Sequence, residues 1–132
     1  ASDQLNDIEP VPAAMTTTVN IFDEDVLEEL RRMGAASGKD LALRAMQLFT
    51  ENAPATLVKI AAALKADDMA DLASAAHALK SMSYNSGAMR LGQACAIIEE
   101  AAAETGTVSA ASMQDMISLY AQTVDAASAR LA

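Results

Sequence analysis

Apolar residues recur every three or four positions along five stretches of this chain, and short polar or glycine-containing segments separate the stretches. This period is typical of amphipathic α-helices. The first predicted helix is short, because Asp23 is a suitable N-cap and Gly34 is a natural stop. Its apolar stripe consists of Val26, Leu27, Leu30 and Met33.

The second predicted helix contains a proline. It is expected to begin at Ser37, with Asp40 three residues later as a capping-box partner. Pro54 lacks a backbone N–H and its ring crowds the preceding turn, so we expect a kink or a break near Thr50. The apolar positions of this stretch are Leu41, Ala45, Leu48, Phe49, Leu57, Ile60 and Leu64.

Three further helices complete the pattern. Their predicted bounds are Asp67 or Asp68 to about Tyr84, about Ser86 to Glu104, and Ser109 or Ser112 to Leu131. Their predicted core stripes are Leu72, Ala76, Leu79 and Ser83 in the third helix, Ala88, Leu91, Cys95, Ile98 and Ala102 in the fourth, and Met113, Ile117, Tyr120, Val124, Ala127 and Leu131 in the last.

Short loops between long amphipathic helices are typical of antiparallel bundles. The predicted fold is therefore all-α: an antiparallel four-helix bundle with a short additional N-terminal helix packed on one end. Residues 1–20 contain two prolines and three consecutive threonines and show no sustained period. We expect a flexible tail or linker over residues 1–20 and the helical bundle over residues 21–132.

Composition supports helices and excludes an all-β fold. Of the 132 residues 52% are apolar, but 31 are alanine, and only 3% are aromatic with no tryptophan. A sheet sandwich needs more β-branched and aromatic side chains than this chain offers. Alanine, leucine, methionine and glutamate favour helices instead.

The charge balance excludes several classes of partner. Nine basic residues against eighteen acidic ones give a net charge of −9, which repels nucleic-acid phosphates. No apolar run reaches the length of a membrane span, so we expect a cytoplasmic protein without membrane contact. The single Cys95 fits a reducing compartment, and one histidine with one cysteine cannot build a multi-ligand zinc site.

The single histidine, His77, projects from a helix face without bulky side chains. On a helical wheel it lies well away from the core stripe of the third helix. Four of its six wheel neighbours are alanine or serine, so a partner surface could approach the ring closely. The residues predicted to border such a docking surface are Ala73, Ser74, Ser81, Tyr84 and Arg90; Tyr84 could equally plug the bundle end.

The same region is the best place in this acidic chain for an anion. Residues 72–98 contain no Asp or Glu, whereas Lys80 and Arg90 lie inside that window. A neutral imidazole is a nucleophile near physiological pH, and phosphoryl transfer requires mainly alignment and positive charge. His77 with Lys80 is thus sufficient for a residue that carries a phosphoryl group, but not for a self-loading enzyme. The alternative is a solvated surface histidine.

These residues resemble a known family. The run His77-Ala78-Leu79-Lys80-Ser81, followed by Gly87-Ala88 and then by Leu91, Cys95 and Glu99, resembles the histidine-containing phosphotransfer (HPt) domain of bacterial multistep phosphorelays. The similarity is strong over residues 72–99 and looser over residues 38–66. One departure is Ser81, where the family usually has glycine; we expect modest rather than lost activity from it.

The resemblance implies a phosphocarrier without kinase activity. His77 would accept a phosphoryl group from a receiver-domain aspartyl phosphate and pass it to another receiver aspartate, while Lys80 steadies the phosphoryl charge. The implied partners are response-regulator receiver domains and an upstream hybrid sensor kinase. The chain would need no cofactor of its own, because Mg²⁺ would come with the receiver. One histidine on one face predicts a monomer.

Other candidates have simpler interpretations. The run Gly34–Asp40 resembles a phosphate loop but has the wrong glycine spacing, so we interpret it as a turn with a helix cap. Cys95 is predicted to be a buried thiol and Glu99 a solvated side chain or a surface partner for a base. The alternative function is a helical adaptor that docks a receiver or kinase domain without carrying phosphate.

Overall fold

The computed structural model describes residues 21–35, 38 and 40–132. Within them lie five α-helices, which we number in chain order: α1 (Glu24–Ala35), α2 (Leu41–Lys65), α3 (Met69–Asn85), α4 (Met89–Glu104) and α5 (Ala110–Leu131). The predicted tail over residues 1–20 lies outside the described part of the chain.

Four of these helices form the bundle. α3 packs against α2 and α4, α4 packs against α5, and α5 closes the ring against α2. The short α1 packs on α2, and the Asp23 N–H donates to the Gly87 carbonyl at 2.7 Å, which ties the start of α1 to the turn between α3 and α4. The predicted all-α architecture is confirmed.

Side-chain caps fix three of the predicted helix starts. Asp23 accepts hydrogen bonds from the N–H groups of α1, Asp68 caps α3 through the Asp71 N–H at 3.0 Å, and Ser109 caps α5 through the Ser112 N–H at 3.0 Å. Each satisfies a backbone donor that has no partner within its own helix. The structure therefore selects Asp68 over Asp67 as the start of α3 and Ser109 over Ser112 as the start of α5.

The bounds of three helices differ from the prediction. α1 continues through Gly34 to Ala35. α2 begins at Leu41 with Asp40 as its N-cap, not at Ser37, which is outside the described residues. α4 begins at Met89 rather than Ser86, because Gly87 adopts a φ of +84°, a left-handed conformation incompatible with a continuing helix.

Pro54 does not break α2. The helix runs without interruption from Leu41 to Lys65 with Pro54 on its exposed side. Side chains bond to backbone carbonyls in the turns beside it: the Thr50 hydroxyl donates to the Gln47 carbonyl at 2.9 Å and the Asn52 amide to the Leu48 carbonyl at 2.9 Å. The break near Thr50 that the sequence allowed is therefore absent.

The core consists mainly of small and medium apolar side chains. Every predicted core position of α3 and α4 is buried, including Ser83, whose hydroxyl donates to the Leu79 carbonyl at 2.7 Å. Four positions predicted in apolar stripes are instead exposed: Met33 (60%), Leu48 (41%), Leu64 (40%) and Ile117 (44%). α5 buries Met116 and Thr123 in place of Ile117. No helix of the described residues is long and apolar enough to cross a membrane.

Candidate functional site

His77 lies on the solvent side of α3 with 60% of its side chain exposed. It is eight positions after Met69, the first residue of the helix, so two helical turns anchor its backbone on the N-terminal side. The helix core stripe, which includes Ala76 and Leu79, is fully buried beside it. A rigid, well-packed helix therefore holds the ring at the surface.

A carboxylate from the next helix contacts the imidazole. Glu99 on α4 places Oε2 2.8 Å from His77 Nδ1 and Oε1 2.7 Å from Lys80 Nζ. Its side chain is 26% exposed and that of Lys80 25%, so both are more sheltered than the ring. One carboxylate thus holds the histidine and the lysine together across the α3–α4 contact.

The charges of this cluster stabilise one another. The hydrogen bond from Lys80, reinforced by the one from His77, lowers the pKa of the Glu99 carboxyl below its ordinary value of 4.5. The same hydrogen bond to Glu99 raises the pKa of Lys80 above 10.5 despite partial desolvation. Glu99 is therefore ionised and Lys80 charged at neutral pH, which makes every hydrogen bond of the cluster charge-assisted.

This geometry fixes the tautomer of the ring. An ionised carboxylate has no proton to donate, so Nδ1 must carry the hydrogen of the His77–Glu99 bond. In the neutral ring the lone pair then belongs to Nε2, to which no described residue makes a hydrogen bond. The arrangement presents an oriented, solvent-facing nucleophile with an ammonium group one helical turn away.

The structure brings most of the predicted docking residues to the histidine side. Ser74 and Ser81 are exposed one turn before and after His77, and Ala73 is half-buried. Tyr84 is also half-buried, and its ring lies against Gly92 of α4, where a β-carbon would overlap three of its carbons. Tyr84 therefore closes the α3–α4 contact next to the site.

Arg90 lies elsewhere. It is nine residues before Glu99 on α4, a separation of two and a half turns, so the two side chains point to opposite sides of that helix. Arg90 lines a groove between α4 and α5. The structure does not place it beside His77.

Two features of the site were missed in the sequence. One is the contact of Glu99 with His77, because the acid-free window ends at residue 98, one position before Glu99. The ion pair of Glu99 with Lys80 fits the predicted alternative of a surface partner for a base. The other is a groove between α2 and α3, with a volume of about 610 Å³, which Ser74 and Ala78 share with Lys59 of α2. The spacing of Glu99 could have indicated its contact with His77. Residues 77 and 99 are each eleven positions from Ala88 in the α3–α4 turn, so they lie at the same level when the two helices pack antiparallel.

The remaining candidates are structural. Cys95 is fully buried, and desolvation, with the nearby Glu99 charge, raises the pKa of its thiol to about 12. In the Gly34–Asp40 segment the described residues show a turn at Gly38 with φ +72° and the Asp40 helix cap. Among the described residues no group of three or more His, Cys, Asp or Glu is arranged to hold a metal ion.

Comparison with known proteins identifies the family. A family model described as the Hpt domain matches residues 44–130, which is 87 of the 132 residues and covers α3, α4 and nearly all of α2 and α5. The chain belongs to the Hpt domain family. A search of curated proteins finds no match. Membership assigns a histidine phosphotransfer role in phosphorelays, as a phosphocarrier that interacts with receiver domains and kinases.

Proposed function

We propose that His77 is the phosphoryl acceptor and donor of this chain and relays the group between receiver-domain aspartates. The observation that carries the proposal is the fixed imidazole: Nδ1 is bound to Glu99 at 2.8 Å, the side chain is 60% exposed, and no described residue bonds to Nε2. His77 is also the only histidine in the sequence.

In the transfer step, the Nε2 lone pair attacks phosphorus of the receiver's aspartyl phosphate. The N–P bond forms as the bond between phosphorus and the aspartate oxygen breaks, and the electron pair leaves with the aspartate carboxylate. The ring then carries positive charge, which the Glu99 carboxylate stabilises through the Nδ1 proton. The reverse sequence of bond changes delivers the phosphoryl group to a second receiver aspartate.

Lys80 supplies positive charge next to this reaction. Its ammonium group has three N–H donors, and Glu99 occupies the direction of one of them. The other donors are available to phosphoryl oxygens that approach from the exposed side of α3. Lys80 thus has two functions in the proposal: it helps to hold Glu99 in place, and it offsets the charge of the transferred group.

The receiver would dock on the surface of small side chains beside His77. Ser74, Ala78 and Ser81 are exposed and small, so a partner could bring its aspartate close to the ring. Ser81 offers a hydroxyl where the family usually has glycine, and this costs little space. The only described carboxylate bonded to the ring is already shared with Lys80, so we propose that Mg²⁺ comes with the receiver.

The proposed partners are response-regulator receiver domains and an upstream hybrid sensor kinase. The similarity to bacterial phosphorelay domains supports a bacterial, cytoplasmic setting for the exchange. The chain carries the group but does not load itself, so it functions as a carrier and not as a kinase.

The test is phosphoryl loading from a phosphorylated receiver domain in the presence of Mg²⁺. We expect an acid-labile, base-stable phosphoryl group on the native chain and none on His77→Gln, which keeps much of the side-chain shape but removes the nucleophile. Gln93→Ala, an exposed substitution on α4, is the control and should load normally.

Two outcomes would contradict the proposal. Label that persists on His77→Gln would place the phosphoryl group on another residue. Receivers that bind the native chain but never load it would support the adaptor function, with the surface around His77 serving only for docking.

A further inference from the structure

A second groove lies between α4 and α5. It has a volume of about 340 Å³, which is the size of a small-ligand or peptide site. Its lining includes Arg90, Gln93 and Ile97 from α4 and Asp115, Leu119 and Gln122 from α5. Ile97 is 56% exposed, so a large apolar side chain borders the groove in contact with water.

Arg90 enters this groove without a partner. Its Nη1 atom is buried and has no hydrogen-bond acceptor among the described residues, and none of them forms an ion pair with its side chain. The Arg90 side chain as a whole is half-buried. A buried donor without an acceptor is costly to the fold, so Nη1 calls for an acceptor from outside. Arginine binds carboxylates and other planar oxyanions best, through two parallel hydrogen bonds.

The two ends of the groove carry opposite charges. α4 and α5 are antiparallel and joined by residues 105–109, so Arg90 lies level with residue 124 and Asp115 lies about nine residues, or roughly 13 Å, nearer the loop. Helical side chains lean toward the N-terminus, which takes the Arg90 side chain further from Asp115. A cation therefore lies at one end, a carboxylate at the other, and Ile97 and Leu119 in between.

The groove also faces away from His77. Arg90 and Glu99 project from opposite sides of α4, and Glu99 is the residue that contacts the histidine. A ligand on Arg90 would consequently leave the imidazole and its docking surface open.

We propose that the α4–α5 groove is a docking site for an acidic, amphipathic segment of a partner protein. The segment places a carboxylate on Arg90 and an aliphatic side chain against Ile97 and Leu119. Arg90 and Ile97 are seven residues apart on α4, so in a helical segment these two side chains are about seven residues, or about 10 Å, apart. A basic side chain beyond that point faces Asp115. Charge complementarity at both ends sets one orientation, and the segment can stay bound while a receiver docks at His77.

The probe is a synthetic helical peptide built to this pattern, with glutamate, leucine seven residues later and lysine one turn beyond. We expect it to shift the NMR signals of the Arg90 Nε–H and of the Ile97 and Leu119 methyl groups in the full chain. A matched peptide with glutamine for the glutamate should bind roughly tenfold or more weakly, because it lacks the charged acceptor.

Arg90→Gln in the full chain should weaken the glutamate peptide by a similar factor. Its melting temperature should not fall, because the guanidinium has no acceptor to lose, and phosphoryl loading of the chain should be unchanged. Arg44→Gln, at an exposed arginine of α2, is the control and should bind the peptide normally.

Several outcomes would overturn the proposal. Equal binding of the two peptides, or unchanged binding to Arg90→Gln, would remove the arginine contact. A large drop in the melting temperature of Arg90→Gln would make Arg90 structural. Competition between peptide and receiver would place the peptide on the His77 side. Tighter peptide binding when Asp3, Asp7 and Glu9 are all neutralised would identify residues 1–20 of the chain itself as the occupant.

Discussion

The hydrogen bond between His77 and Glu99 determines which imidazole nitrogen carries the free lone pair in the neutral ring. It is made across two helices, so it depends on the α3–α4 packing as much as on the residues themselves. The bond keeps the proton on Nδ1 and leaves the Nε2 lone pair for the proposed attack on phosphorus. A neutral substitute for Glu99 would weaken this preference, because an amide can also donate a hydrogen bond to Nδ1 and stabilise the unreactive tautomer.

Glu99→Gln should therefore slow phosphoryl uptake from a phosphorylated receiver by about 10–100-fold, the effect typical of losing a residue that orients a metal-binding imidazole. The fold should be retained, since Glu99 is partly exposed. Single-turnover loading rates measure the effect. Glu100→Gln, at the adjacent exposed position, is the control. Equal rates for the two variants would show that Glu99 does not orient the ring.

Lys80→Ala tests the second contact of the same carboxylate. It removes an ammonium that lies 2.7 Å from Glu99 and one turn from the His77 ring. We expect loading to slow by roughly tenfold or more while receiver binding changes little, because the charge acts mainly on the transferred group. Lys65→Ala, at the exposed end of α2, is the control for lost positive charge. A rate equal to that of the control would exclude Lys80 from the transfer step.

The stability supplied by this cluster should depend on pH at the acidic end. The folded-state pKa of Glu99 lies below 4.5, so its carboxylate stabilises the native chain above that value, and this contribution is lost as the pH falls through the lowered pKa. The melting temperature of Glu99→Gln should be below that of the native chain at pH 7, and the difference should shrink below pH 4.5. A difference that is constant from pH 7 to pH 3 would contradict the linkage.

At the scale of helices, the contact between Tyr84 and Gly92 sets how closely α3 and α4 approach. A β-carbon at Gly92 would overlap the Tyr84 ring. Glycine to alanine in a helix interior normally stabilises by about 1 kcal/mol. Gly92→Ala should instead destabilise the chain by roughly 1–3 kcal/mol, the usual effect of overpacking, as measured by urea denaturation.

A second variant separates the effect of the Tyr84 contact from the helix propensity of residue 92. With Tyr84→Ala in the background, the ring that Gly92→Ala would overlap is gone, so the same substitution should become neutral or stabilising. A Gly92→Ala chain that is more stable than the native one, with Tyr84 intact, would show that the ring moves aside without cost.

The helices show where the sequence is sufficient and where it is not. Caps are local, so Asp23 could be identified from a few neighbouring residues, and the starts of α3 and α5 could be reduced to two candidates each, from which the structure selects Asp68 and Ser109. The buried face of α5 could not, because alanine, threonine and apolar residues occupy more than one stripe. Thr123 is buried with its hydroxyl satisfied by the Leu119 carbonyl at 2.6 Å, whereas Ile117 is 44% exposed.

Two residues of the candidate site, His77 and Lys80, were predictable from the sequence, but the contacts that Glu99 makes with them were not. His77 and Lys80 share one helix face, and helical spacing alone reveals them. Glu99 joins them only because α3 and α4 form an antiparallel pair about Ala88, which also aligns Tyr84 with Gly92. Arg90 was predicted on the same surface because it lies in the acid-free window, but a window along the sequence does not show on which face of a helix a residue lies. The structure places Arg90 on the other side of α4.

At the scale of the whole molecule, α4 separates two surfaces. Its α3 side carries Glu99 and completes the histidine site, while its α5 side carries Arg90 and the second groove. A chain with a net charge of −9 attracts anions poorly in general. Both surfaces therefore depend on single, locally placed cations, Lys80 in one and Arg90 in the other.

The cluster of His77, Lys80 and Glu99 is complete within one chain, which predicts that transfer needs only a monomer. Light scattering should give a mass near 13.7 kDa. A mixture of His77→Gln and Glu99→Gln chains should load no faster than Glu99→Gln alone at the same concentration, because neither chain can lend its intact residue to the other. A doubled mass together with a restored rate would show instead that two chains share the site.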